Sequence, residues 1–121
     1  MKTILIVDDD ELNQELYAGL AKSWGYQVII SDDGRDALDK YKELSPDLLI
    51  TDIYMRNNGI ELMTKVKDID PELPIITISG GIGIDDGEEV LLLSEQMGAV
   101  YSMKKPVEAD KLEAIVRSIL D

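Results

Sequence analysis

The sequence predicts an α/β fold, a doubly wound, five-stranded parallel sheet with helices on both faces. Short apolar runs alternate with helical patterns from one end of the chain to the other. The first run, Ile4-Leu5-Ile6-Val7, is continuous and branched, as expected of a strand buried on both faces. Five repetitions of strand and helix imply right-handed crossovers and a parallel sheet.

The apolar pattern places strands at residues 4–7, 28–30, 48–50, 75–78 and 100–103. A helix follows each strand, because apolar residues then recur at spacings of three and four. Gly25 ends the first helix and Pro46 follows the second. The five helices are marked in turn by Leu12, Leu16, Leu20 and Ala21; by Ala37, Leu38, Tyr41 and Leu44; by Ile60, Met63, Val66 and Ile69; by Val90, Leu93 and Met97; and by Leu112, Ile115, Val116 and Ile119.

Length and composition predict a single domain over residues 1–121. A chain of 121 residues with 45% hydrophobic and 31% charged residues can bury a core without disulfides. Because the sequence contains no Cys and no His, thiolate metal sites and imidazole catalysis are excluded. The net charge of −13 opposes binding to nucleic acids and anionic membranes, so neither is expected as a partner. The N-terminus is apolar for only four residues before three aspartates, so no targeting segment is expected and the predicted location is cytoplasmic.

Polar residues stand where four of the predicted strands end. The first strand is followed by Asp8-Asp9-Asp10, the third ends in Thr51-Asp52, the fourth ends in Ser79, and the fifth runs into Lys104-Lys105-Pro106. Ligands of an open α/β sheet bind outside the carboxyl ends of its strands. Three carboxylates, a hydroxyl and an ammonium group therefore converge if these strands are neighbours.

Such a cluster has a defined chemistry. Asp8, Asp9 and Asp52 cannot all be ionised within a few ångströms unless a cation offsets their repulsion. An all-oxygen ligand set suits Mg²⁺, which leaves room for phosphate oxygens. A carboxylate can attack phosphorus, and Lys105 and Ser79 could bind the oxygens of the transferred group.

Four segments of the chain resemble the motifs of bacterial response-regulator receiver domains, of which the chemotaxis regulator is the best-known example. They are Ile4-Leu5-Ile6-Val7-Asp8-Asp9-Asp10, Pro46-Asp47-Leu48-Leu49-Ile50-Thr51-Asp52, Leu73-Pro74-Ile75-Ile76-Thr77-Ile78-Ser79-Gly80 and Lys105-Pro106. The resemblance covers essentially the whole chain, in order. It implies the flavodoxin-like strand order 2-1-3-4-5 and a cis peptide bond before Pro106.

The resemblance also implies a role for each residue of the cluster. Asp52 is then the phosphoacceptor, Lys105 pairs with the phosphoryl group, and Ser79 is the switch hydroxyl. The implied Mg²⁺ ligands are Asp52, Asp9 directly, Asp8 mainly through water, and the backbone carbonyl of Tyr54. The implied phosphodonor is a histidine kinase or a histidine phosphotransfer protein, and the implied output is a contact with a downstream protein target. Such a domain turns over no independent substrate, so it is not expected to be an enzyme in the usual sense.

Several positions depart from the family pattern. The loop after Asp52 is one residue shorter and lacks the usual proline. The switch aromatic normally lies three residues before the lysine, where this chain has Ser102; Tyr101 is expected on the opposite face of its strand. These departures favour an alternative, a degenerate receiver that acts as a constitutive protein-binding module. A fragment of a longer regulator is a further alternative. Leu91, Leu92 and Met103 either complete the core or belong to a partner surface.

Overall fold

The computed structural model describes residues 1–53, 59–79, 95–96 and 98–121. This part of the chain contains one parallel five-stranded sheet in the order β2-β1-β3-β4-β5. Its strands are β1 (Thr3–Val7), β2 (Gln27–Ser31), β3 (Leu48–Asp52), β4 (Ile75–Ser79) and β5 (Tyr101–Lys104). Its helices are α1 (Glu11–Ser23), α2 (Gly34–Leu44), α3 (Gly59–Ile69) and α4 (Ala109–Leu120). The predicted α/β class and the implied strand order are both confirmed.

The helix predicted around Val90, Leu93 and Met97 lies outside the described residues, as do Tyr54, Leu91 and Leu92. Among the helices of the described ranges, none is long and apolar enough to cross a membrane.

Both faces of the sheet are covered, which explains the continuous apolar strands. Strands β3 and β4 are buried over their whole length, and β1 is buried after Thr3. Successive residues of a strand point to opposite faces. On one face Ile4, Ile6 and Ile50 pack with residues of α1 and α4, and on the other Leu5 and Leu49 pack with residues of α2 and α3. The carboxyl ends of the central strands are therefore held in a fixed arrangement.

Helix α1 forms where it was predicted, but its buried face differs from the predicted apolar stripe. Leu12 and Leu16 are 75% and 53% exposed, whereas Tyr17 and Ala18 face the core together with Ala21, the buried member of the predicted stripe. Asp10 caps the helix by accepting a hydrogen bond of 2.9 Å from the Leu12 backbone N–H. The leucine spacing alone therefore does not identify the buried face of α1.

The chain reversals follow the predicted signals. Gly25 has a φ of +96°, a left-handed conformation that favours glycine, directly after the C-cap of α1. Helix α2 ends at Leu44, and Ser45 takes a left-handed conformation before Pro46. The implied cis peptide bond between Lys105 and Pro106 is confirmed.

Candidate functional site

The sheet order brings the predicted site residues together. Strand β3 lies between β1 and β4, and β5 lies beside β4, so their carboxyl ends form one edge. Asp8 follows β1, Asp52 ends β3, Ser79 ends β4 and Lys105 follows β5. The Lys105 N–H donates to the Ser79 carbonyl at 2.9 Å, which continues the β4–β5 pairing up to the lysine. The structure therefore places these four residues at the same edge of the sheet.

Lys105 reaches across the end of β4 to the carboxylate of Asp52. Its Nζ lies 2.7 Å from Oδ2 of Asp52 and 3.6 Å from Oδ2 of Asp8. Burial opposes the charge on Lys105, but the hydrogen bond to Asp52 and the charges of Asp52 and Asp8 outweigh it, so the pKa of Lys105 is raised. The lysine is therefore a fixed positive charge between two carboxylates.

Asp8 is a buried carboxylate that is only partly satisfied. It is 1% exposed, and its Oδ1 accepts a hydrogen bond of 2.9 Å from the Asp10 backbone N–H. Its Oδ2 has no hydrogen-bond partner among the described residues. Burial raises the pKa of Asp8, the Asp10 N–H lowers it, and the negative charge of Asp52 raises it further; the net shift is upward. A carboxylate oxygen that accepts no hydrogen bond and lies beside two other carboxylates is suited to bind a cation.

The carboxylates fit the requirements of a magnesium site. Ligand oxygens of Asp8, Asp9 and Asp52 all lie within 4.8 Å of one another. Asp8 and Asp52 are buried, whereas Asp9 is exposed and open to solvent. Mg²⁺ prefers a few carboxylate oxygens and retains several waters, which an open site of this kind permits. Tyr54, the fourth ligand implied by the resemblance, stays a prediction because it lies outside the described residues.

Replacing Asp8 by its neutral isostere should stabilise the metal-free protein. Asp8→Asn is expected to raise the free energy of unfolding at pH 7, because the neutral amide avoids the cost of a buried charge beside Asp52. The folded-state pKa of Asp8 lies above its ordinary value of 3.8. Its charge therefore costs stability at neutral pH, and that cost disappears as the pH falls through the raised pKa.

Urea unfolding in a chelator, repeated at several pH values, measures the difference between Asp8→Asn and wild type. We expect the difference to shrink on acidification. A variant that is less stable than wild type at pH 7, or a difference that grows as the pH falls, would contradict a buried, repelled carboxylate at this position.

Ser79 is a fully buried hydroxyl at the end of β4, and its Oγ has no hydrogen-bond partner among the described residues. Ser79→Ala is therefore expected to leave the free energy of unfolding unchanged or to raise it by up to about 1 kcal/mol. Thr77→Val is the matched control on the same strand. Thr77 Oγ1 lies 2.8 Å from Ser102 Oγ, and the substitution removes that hydrogen bond. In urea unfolding, Thr77→Val should lower the free energy of unfolding by about 1 kcal/mol. An equal loss in both variants would show that Ser79 has a structural partner.

The position of the usual switch aromatic is polar in this chain. Ser102 shares a hydrogen bond with Thr77 of the neighbouring strand, on the sheet face opposite Met103. Tyr101 is exposed, as expected for the other side of the strand, and Lys111 of α4 lies 5.9 Å from the centre of its ring. Met103 is buried in the core beneath α1 and α4, so it does not belong to an exposed partner surface.

One contact of the site was not anticipated from the sequence. Gln14, in the second turn of α1, donates from Nε2 to the backbone carbonyl of Asp8 at 2.5 Å. The only sequence signal is a polar residue four positions after the N-cap Asp10, on a helix that begins directly after β1. That spacing is common on solvated helix faces, so it did not distinguish Gln14.

Comparison with known proteins agrees with this geometry. Residues 4–117 match the family model described as the response regulator receiver domain. The chain belongs to this family, the receiver domains of two-component response regulators. It is 32% identical to the polar-differentiation response regulator DivK of Brucella ovis over 123 residues, covering 98% of this chain and 96% of DivK. It is also 32% identical to the transcriptional regulatory protein ZraR of Klebsiella oxytoca over 118 residues, which is 97% of this chain but only 26% of ZraR.

Solved structures show the same fold. The receiver domain of NtrX from Brucella abortus superposes with a TM-score of 0.87 at 30% identity, covering 97% of each chain. A CheY-like receiver domain from Methanospirillum hungatei gives a TM-score of 0.86 at 29% identity, covering 98% of this chain and 94% of that one. Receiver domains generally bind Mg²⁺ at an acidic cluster, and the family is a signalling domain rather than a classical enzyme.

Proposed function

We propose that the chain, as one receiver domain over residues 1–121, accepts a phosphoryl group on Asp52. The observation that carries this proposal is the Asp52 carboxylate, buried at the end of β3, 2.7 Å from Lys105 Nζ and grouped with Asp8 and Asp9. Carboxylates that can hold Mg²⁺ and an ammonium group that can pair with phosphoryl oxygens are the groups that phosphoryl transfer uses. The phosphodonor is a phosphohistidine of a histidine kinase or a histidine phosphotransfer protein.

In the proposed transfer an Asp52 carboxylate oxygen forms a bond to phosphorus while the bond from phosphorus to the donor's histidine nitrogen breaks. Asp8, Asp9, Asp52 and the Tyr54 carbonyl would hold Mg²⁺, which when bound neutralises charge on the phosphoryl oxygens. Lys105 is already positioned beside Asp52 and would pair with a phosphoryl oxygen. Ser79, whose hydroxyl has no partner in the described part of the chain, would donate to another.

The phosphorylated state would then change contacts with a downstream protein target. A new charge at Asp52 draws Lys105 and Ser79 toward it, and such a ligand shifts an equilibrium between two arrangements of the neighbouring loops. The net charge of −13 supports protein partners rather than direct contacts with nucleic acid or membrane. The proposal includes a cytoplasmic location, as expected from the sequence.

The Ser102–Thr77 hydrogen bond supports a second candidate, the constitutive binding module, because a serine cannot act as the usual aromatic switch. Amide NMR spectra recorded before and after addition of Mg²⁺ and a small phosphodonor separate the two. A phosphorylation switch predicts shifts of the Ser79 and Lys105 amides together with residues of β5. Unchanged spectra in the presence of both reagents would favour the constitutive module.

A further inference from the structure

The contact between Gln14 and Asp8 links helix α1 to the acidic cluster. Asp8 lies one residue beyond the last paired residue of β1, and its N–H still donates to the Ser31 carbonyl of β2 at 3.1 Å. The carbonyl of the same residue accepts a hydrogen bond of 2.5 Å from Gln14 Nε2. The Asp8 backbone is thus held by the sheet through its N–H and by a helix side chain through its carbonyl.

A second contact acts on the side chain of the same residue. The Asp10 N–H donates to Asp8 Oδ1 at 2.9 Å, which leaves Oδ2 directed toward Lys105 at 3.6 Å. Asp10 is also the N-cap of α1, and its carbonyl accepts the first helical hydrogen bond from the Gln14 N–H at 3.0 Å. Asp10 and Gln14 therefore belong to one rigid helix start that holds both the carbonyl and the carboxylate of Asp8.

The carbonyl contact also bears on Asp9. The Asp8 carbonyl and the Asp9 N–H belong to one planar peptide group. The hydrogen bond that orients the carbonyl therefore also orients the Asp9 N–H. Asp9 is exposed, and its side chain is not restrained by burial. The direction of its carboxylate then depends on the orientation of that peptide.

We propose that Gln14 is a positioning residue for the cation site: its amide holds the Asp8–Asp9 peptide so that both carboxylates converge on one ion. This inference rests on the proposed function, since it assumes that the cluster binds Mg²⁺. Groups that orient metal ligands without touching the metal commonly change metal affinity by about 10- to 100-fold when they are removed. Because Gln14 acts through the backbone, an effect at the lower end of that range is expected.

Calorimetric titration of Mg²⁺ into the full chain tests the proposal. Gln14→Met keeps the length of the side chain but cannot donate, and it is expected to raise the Mg²⁺ Kd about 10-fold. Gln14→Asn keeps the amide on a shorter side chain that falls short of the carbonyl, so it is expected to weaken binding similarly. If Gln14→Met does not fold, Gln14→Asn still tests the proposal.

Ala21→Gly is the control for a purely structural role. It destabilises the same helix from a buried position that does not touch Asp8, so it should lower the urea midpoint without changing the Mg²⁺ Kd. A wild-type Kd in the two Gln14 variants would overturn the positioning role, as would an equal rise of the Kd in Ala21→Gly. If the wild-type protein itself bound no Mg²⁺, the proposed function would fail, and this inference with it.

Discussion

Asp52→Asn is expected to abolish phosphoryl acceptance while leaving the fold intact. Asn has the shape of Asp but not its nucleophilic carboxylate, so no acyl phosphate can form. The fold should persist because β3 is buried over its whole length and the amide oxygen can still accept a hydrogen bond from Lys105. Intact-mass spectrometry after incubation with Mg²⁺ and a small phosphodonor measures the loss, and circular dichroism checks the fold.

Asp10→Asn is the matched control for this substitution. Asp10 belongs to the same aspartate run but acts as the N-cap of α1, a role that Asn fills equally well. The control should therefore be phosphorylated as wild type is. If Asp52→Asn were phosphorylated to the same extent as wild type, Asp52 would not be the acceptor.

Lys105→Met is expected to produce the largest loss of stability in the metal-free protein. It removes the cation that lies between Asp52 and Asp8 and leaves two buried carboxylates repelling each other. Breaking a fully buried pair costs about 3–5 kcal/mol. The Lys105 side chain is 26% exposed, so we expect a decrease of about 2 kcal/mol in the free energy of unfolding at pH 7.

Two dependences distinguish this electrostatic loss from a packing defect. Without the ammonium group the pKa of Asp8 rises further, so the variant should regain stability as the pH falls. Mg²⁺ should stabilise Lys105→Met more than wild type, because the ion replaces the missing positive charge. Lys104→Met, at the exposed neighbouring lysine, is the control. Urea unfolding that gave the same stability for Lys104→Met and Lys105→Met would contradict a special role for Lys105.

Much of the fold follows from local patterns in the sequence. Continuous branched runs such as residues 4–7 specify strands covered on both faces, and Gly25 marks a helix end through its left-handed backbone. The buried face of α1 was not predictable in the same way. Leu12 and Leu16 have the correct spacing, but the direction in which the helix meets the sheet is a property of the whole packing.

In the candidate site, too, some features were predictable from the sequence and others depend on the packing of the fold. The grouping of Asp8, Asp52 and Lys105 follows from strand ends and strand order, and it was expected. That Asp8 is buried whereas Asp9 is exposed depends on how the chain leaves β1 to enter α1. The Gln14 contact depends on the same turn, because a residue six positions later in the chain reaches back to a strand carbonyl.

The proposed reaction of this protein is phosphoryl acceptance on Asp52 with the help of Mg²⁺. The most direct test is the intact mass of the wild-type protein after incubation with a small phosphodonor, in Mg²⁺ and in a chelator, with Asp52→Asn alongside. We predict the addition of a single phosphoryl group to the wild type in Mg²⁺, little addition in the chelator, and none to the variant. No addition to the wild type in Mg²⁺, or equal addition in the chelator, would contradict Mg²⁺-dependent phosphoryl acceptance on Asp52.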